Sequence, residues 1–86
     1  MAYETIVVEK KDGVAKITLN RPERMNAINA TLATEVRDAM EEIKNDNSIG
    51  AVVITGAPRI REKEGKKEIR YAFSAGWDMA EALSLI

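Results

Sequence analysis

The amino-acid sequence predicts an α/β fold in which a β-hairpin is followed by a strand, helix, strand unit. Three features carry that reading: two β-branched runs hinged on Asp12-Gly13, one stretch of helical period from Thr31 to Lys44, and the unbroken apolar run AVVIT at residues 51–55. A strand, a helix and a second strand in this order imply parallel strands joined by a right-handed crossover. The chain is expected to form a single domain over residues 1–86, near the lower end of what buries a self-sufficient core.

The opening runs are TIVVEK (5–10) and VAKITLN (14–20), and Asp12-Gly13 supplies the positive φ that a tight hairpin turn needs. Ala15, Ile17 and Leu19 share one face of the second run while Lys16 and Thr18 share the other. The pair is therefore expected to bury one side, to leave the other wet and to lie at an edge. NRPERMNAIN then reads as a connection, because Pro22 cannot continue a strand interior and Asn26 and Asn29 suit turns and caps.

From Thr31 the period changes. Leu32, Val36, Ala39, Met40 and Ile43 recur at helical spacing, with Glu35, Arg37, Asp38, Glu41, Glu42 and Lys44 opposite. Asn29 or Thr31 caps the start, and the turn formers from Asn45 to Gly50 end the helix. AVVIT has no alternation, the pattern of a strand covered on both faces. Residues 58–70 read as a charged loop insertion without a periodic apolar face. The chain is expected to re-enter the core at Tyr71 to Phe73, to turn at Gly76, and to start a second helix on which Met79, Leu83 and Ile86 fall at helical spacing.

Composition narrows the chemistry. Apolar residues make up 45% and charged residues 31%, the balance of a soluble globular protein. The net charge of −1 calls for neither nucleic acid nor an acidic membrane as partner. The sequence has no cysteine and no histidine, which excludes disulfides, thiolate nucleophiles, Ser-His-Asp triads and His or Cys zinc sites. No run approaches a membrane span, and MAYETIVVEK lacks the apolar region of a signal peptide, so a cytoplasmic location is expected.

What chemistry remains is main-chain chemistry. In YAFSAGWDMAE (71–81) a glycine precedes a helix start, where unpaired N–H groups and a partial charge of about +0.5 attract an anion. Such a donor suits an oxyanion, for instance a thioester oxygen as it becomes an enolate. The same residues also suit a plain strand-to-helix turn, with Asp78 offsetting the dipole. Asp78 and Glu81 share a helical face, but acids in a first turn complement the dipole and are not assigned catalysis.

VAKITLNRPERMNAI, an amphipathic helix, IGAVVITGA and AFSAGWDMAE follow one another in an order that resembles the crotonase superfamily, the enoyl-CoA hydratases and isomerases. The resemblance covers roughly residues 5–83 and matches the amino-terminal third of such enzymes, the truncated start of their spiral ββα fold. It implies that the backbone N–H of Trp77 is one of two oxyanion donors to an acyl-CoA thioester. It further implies substrate contacts at Arg24, Met25, Ala27, Ala75 and Gly76, with Asp78 of the same motif counted among them. No tightly bound cofactor is implied; coenzyme A enters as part of the substrate.

Two departures from the family pattern stand out. The second donor, a glycine, and the acids that serve hydratases lie well downstream of FSAGWD in the family, whereas nine residues follow Trp77 here. The chain alone is therefore expected to be inert as a hydratase. It reads either as the oxyanion-forming segment of such an enzyme or as a non-catalytic α/β interaction module, in each case as a homo-oligomer or the complement of a second polypeptide. The second departure is residues 58–70, where six cations face three glutamates. They form a solvated excursion or reach the phosphates of coenzyme A. The Trp77 indole either lines the acyl pocket or covers apolar surface.

Overall fold

A computed structural model describes residues 3–74 and residue 76. Strand β1 (Ile6–Lys11) and strand β2 (Val14–Leu19) pair antiparallel, in a register that sets Ile6 opposite Leu19 and Val8 opposite Ile17. Asp12 and Gly13 both take positive φ, +52° and +80°, as the twist of a two-residue hairpin turn requires. Ala15, Ile17 and Leu19 are buried as their alternation predicts.

Helix α1 (Ala30–Lys44) starts where Asn29 caps it: the side-chain oxygen accepts the N–H of Leu32 at 2.8 Å. Leu32, Ala39 and Ile43 pack onto Ile6, Ile17 and Leu19 to form the core, with Val36 partly buried against it. Met40, expected on that face, is 40% exposed. Glu35, expected on the wet face, reaches back to β1 and accepts the N–H groups of Glu4 and Thr5, both at 2.7 Å, and the Thr5 hydroxyl at 2.5 Å. Burial, the largest single influence, raises the Glu35 carboxyl, but these hydrogen bonds together hold it below its ordinary value. The helix ends at Asn45, and Asp46 closes the next turn by accepting from the N–H and hydroxyl of Ser48.

Strand β3 (Ala51–Gly56) pairs parallel with β2, so the sheet order is β1-β2-β3. The hairpin therefore contributes one edge strand and the central strand. Three expectations need correction. The first concerns β3, which is not covered on both faces among the described residues: Val52 packs on the core, yet Val53 is 49% and Ile54 42% exposed. It lies at an edge of the described sheet, with α1 over only part of it.

The second concerns residues 58–70, expected to be an irregular loop. They are exposed, but they form a second antiparallel hairpin, β4 (Arg59–Lys63) with β5 (Lys66–Arg70). Glu64 and Gly65 turn it at φ of +53° and +76°. Charge pairing holds the place of apolar alternation, since Arg61 stands opposite Glu68 and Glu62 opposite Lys67.

Third, Tyr71 and Phe73 do not re-enter the core as side chains, being 76% and 59% exposed. The main chain between them does, because the Ala72 carbonyl is held from inside the molecule. The second helix, with Met79, Leu83 and Ile86, lies outside the described residues.

Candidate functional site

The connection after β2 is built to bring two distant segments together. Pro22 to Arg24 make a 3-10 turn, closed by Met25 N–H on the Pro22 carbonyl at 3.1 Å. Met25 and Asn26 then take consecutive left-handed conformations, φ +52° and +56°. Asparagine tolerates that region better than most side chains. The reversal turns Asn26 into the interior, where it is fully buried.

Every polar group of the Asn26 side chain is used. Its Oδ1 accepts the Arg21 N–H at 2.9 Å, and its Nδ2 donates to the carbonyls of Ala57 at 3.0 Å and Ala72 at 2.8 Å. Two carbonyls on one side and an N–H on the other fix which way the amide points. Asn26 thus joins the chain leaving β2, the chain leaving β3 and the chain leaving the second hairpin. Gly56 makes room for that meeting: a β-carbon there would lie 2.8 Å from Asn26 Nδ2 and closer still to the carbonyl oxygens of Ala72 and Phe73.

The main chain of Asn26 continues the path to the glycine. Its carbonyl accepts the Ser74 hydroxyl at 2.8 Å, and Ser74 Oγ accepts the Gly76 N–H at 3.1 Å. On the other side the Ile28 N–H donates to the Gly76 carbonyl at 2.7 Å. Both peptide groups of Gly76 are therefore fixed by protein. Gly76 has φ +91°, and an added β-carbon would meet no atom within 4 Å, so what glycine provides here is the backbone conformation and open space.

Of the site residues expected from sequence, the structure brings Met25, Ala27 and Gly76 into this junction. Met25 is half-buried, Ala27 is buried, and the Ala27 carbonyl accepts Arg21 Nη1 at 2.6 Å. Arg24 lies on the exposed rim of the 3-10 turn. Ala75, Trp77 and Asp78 lie outside the described residues. Asn26 and Ser74 are the junction residues that hydrophobic patterning misses. A pair of asparagines three apart after a proline was the available signal, and it pointed only to a turn.

Beside Ser74 an apolar cavity of about 340 Å³ opens between α1 and β3, lined by Leu19, Ile28, Leu32, Val36, Ile54 and Phe73 among others. Its size is at the low end of small-ligand clefts. Among the described residues no group of acids could hold a metal ion, and no helix is long and apolar enough to cross a membrane. The chemistry on offer is a pinned glycine backbone next to an apolar hollow.

The family model for enoyl-CoA hydratase/isomerase matches residues 9–85. The chain is 41% identical over 85 residues to the probable enoyl-CoA hydratase echA8 of Mycobacterium tuberculosis, covering 99% of this chain and 28% of that protein. It is 38% identical over 76 residues to the 4-chlorobenzoyl coenzyme A dehalogenase-2 of an Arthrobacter species, covering 88% of this chain and 23% of that protein. The crystal structure of an enoyl-CoA hydratase/isomerase from Xanthobacter autotrophicus Py2 superposes with a TM-score of 0.78 at 34% identity, over 98% of this chain and 27% of that one. The chain spans about 28% of the length of such curated relatives.

Proposed function

We infer the function from one premise: the chain belongs to the enoyl-CoA hydratase/isomerase family, and its hairpin, helix and strands are a portion of the crotonase fold. We propose that this portion binds an acyl-CoA thioester and supplies a main-chain donor to its carbonyl oxygen as negative charge develops there. The observation that carries the reading is the double anchoring of Gly76. A planar trans peptide directs its N–H opposite to its carbonyl. The Gly76 oxygen is held by the Ile28 N–H, and the donor that the family motif implies, the N–H of Trp77, belongs to the same peptide group in sequence.

The relatives' names include both a hydratase and a dehalogenase of coenzyme A thioesters. A shared oxyanion donor serves such different reactions, because it stabilises the thioester oxygen whatever group attacks or leaves. The acids, the second donor and the choice of reaction belong to parts of the enzyme other than the residues described here. Val53 on one face of β3, Ile54 on the other, and Phe73 are exposed, which supports a further part of the reading: both faces of this strand are covered in the working enzyme, by a second copy of the chain or by further polypeptide of the same fold.

The test separates main chain from side chain at the motif. Gly76→Val keeps the space but opposes φ +91°, and is expected to weaken crotonyl-CoA binding by at least about tenfold in calorimetric titration of the 86-residue chain. Trp77→Ala keeps its N–H and is expected to retain binding. Wild-type affinity in a folded Gly76→Val protein would remove the oxyanion assignment.

A further inference from the structure

The second hairpin is unlike the rest of the molecule in charge. Residues 59–70 carry +3, which leaves −4 for the remainder of the chain. The register shows where that excess goes. Side chains alternate across a strand, so Arg59, Arg61, Lys66, Glu68 and Arg70 share one face of the hairpin. Ile60, Glu62, Lys67 and Ile69 share the other, where the charges cancel. One face is thus strongly cationic and the other is neutral with two exposed isoleucines.

At the base of the cationic face Arg59 stands directly opposite Arg70. Like charges in that relation oppose strand pairing, and an opposite-charge partner there would have favoured it. Among the described residues neither arginine forms an ion pair or a side-chain hydrogen bond. Arg59 is partly exposed and Arg70 exposed. Strand β4 also runs beside the 3-10 turn that carries Arg24. Three guanidinium groups therefore belong to adjoining segments, and the 3-10 turn among them leads directly into Asn26 of the junction.

We propose that the cationic face of the β4–β5 hairpin is a phosphate-binding arm that takes the 3′-phosphate and diphosphate of a coenzyme A thioester. The proposal rests on the acyl-CoA reading for its ligand, and it assigns the hairpin a role that the anchored glycine does not need. Arginines two apart on one strand stand about 7 Å apart, and directly opposed residues about 5 Å apart at their Cα atoms. That spacing serves several phosphate groups at once, and guanidinium forks bind each in bidentate fashion. No aromatic residue lies between residues 59 and 70 to stack bases, so the face reads phosphate and not nucleic-acid sequence.

The experiment compares three probes on the 86-residue chain: crotonyl-CoA, crotonyl-pantetheine and adenosine 3′,5′-bisphosphate. The wild-type chain is expected to bind crotonyl-CoA about tenfold or more tightly than crotonyl-pantetheine, with the advantage shrinking as salt rises. Arg59→Ala, Arg61→Ala and Arg70→Ala combined should erase that advantage and the binding of the bisphosphate, while leaving crotonyl-pantetheine unchanged. Glu62→Ala with Lys67→Ala, on the other face, should preserve both, and circular dichroism of each variant checks the fold. Equal affinity for the two thioesters, or a triple variant that keeps the preference, overturns the arm and leaves the oxyanion reading standing. If neither thioester binds, the acyl-CoA reading fails; bisphosphate binding that the triple variant loses then still supports the arm, and its absence overturns that too.

Discussion

Replacing Asn26 with alanine tests whether the junction is held by one buried amide. The substitution removes three side-chain hydrogen bonds and strands the Arg21 N–H and the Ala57 and Ala72 carbonyls. A stranded interior group costs about 1 to 3 kcal/mol, and since these bonds are only part-buried the lower end applies, giving about 3 to 5 kcal/mol in all. An 86-residue chain has a total stability of roughly 4 to 13 kcal/mol at the usual value per residue, so the loss is about a quarter of the whole or more. In urea, with an m-value of about 1 kcal/mol per molar, the midpoint should fall by about 3 to 5 M, or the variant should be unfolded without denaturant. Asn26→Gly separates the two contributions, because glycine relieves the φ of +56° while losing the same bonds. It is expected to match alanine to within about 1 kcal/mol, the scale of a left-handed backbone preference. A midpoint for Asn26→Ala within 1 M of wild type, or a glycine variant as stable as wild type, would refute the hydrogen-bond account.

Two further outcomes are expected. Asp46 is held down to about 2, from an ordinary 3.8, by the Ser48 hydroxyl, the Ser48 N–H and the Lys10 ammonium. Its contribution to stability is therefore complete above about pH 4 and is lost as pH falls toward 2, so Asp46→Asn should flatten the acid limb of a stability profile in that window. An unchanged slope between pH 4 and 2 would count against it. The exposed Val53, Ile54 and Phe73 should make the chain associate as concentration rises, and a single monomeric species throughout a sedimentation series would contradict that.

The elements legible in sequence were those whose apolar period matches their burial. Ala15, Ile17 and Leu19 alternate and are buried; Leu32, Val36, Ala39 and Ile43 recur at helical spacing and face the sheet. The second hairpin escaped the same test because neither of its faces is buried, leaving no apolar alternation to detect. Its legible signal was chemical: Glu64-Gly65 at the turn, with Glu62 opposite Lys67 and Arg61 opposite Glu68 across the strands. Asn26 was illegible for a different reason. A buried polar residue is specified by its partners, and those partners are 5, 31 and 46 positions away.

That distance bears on the main-chain site proposed for a chain without histidine or cysteine. The group proposed to act is a peptide N–H, so no side chain announces it, and the sequence constraint falls on residues that shape the backbone. Gly56 is small because the carbonyls of Ala72 and Phe73 approach it, and Asn26 is polar because one of those carbonyls must be held. Ser74 has a hydroxyl because it donates to the Asn26 carbonyl while accepting from Gly76. Gly76 is glycine because its φ is +91°. Substituting Asn26 strands the Ala57 and Ala72 carbonyls, and substituting Ser74 strands the Asn26 carbonyl and the Gly76 N–H, so the losses fall on one stretch of backbone. A double substitution at Asn26 and Ser74 should therefore cost less than the two single losses added together.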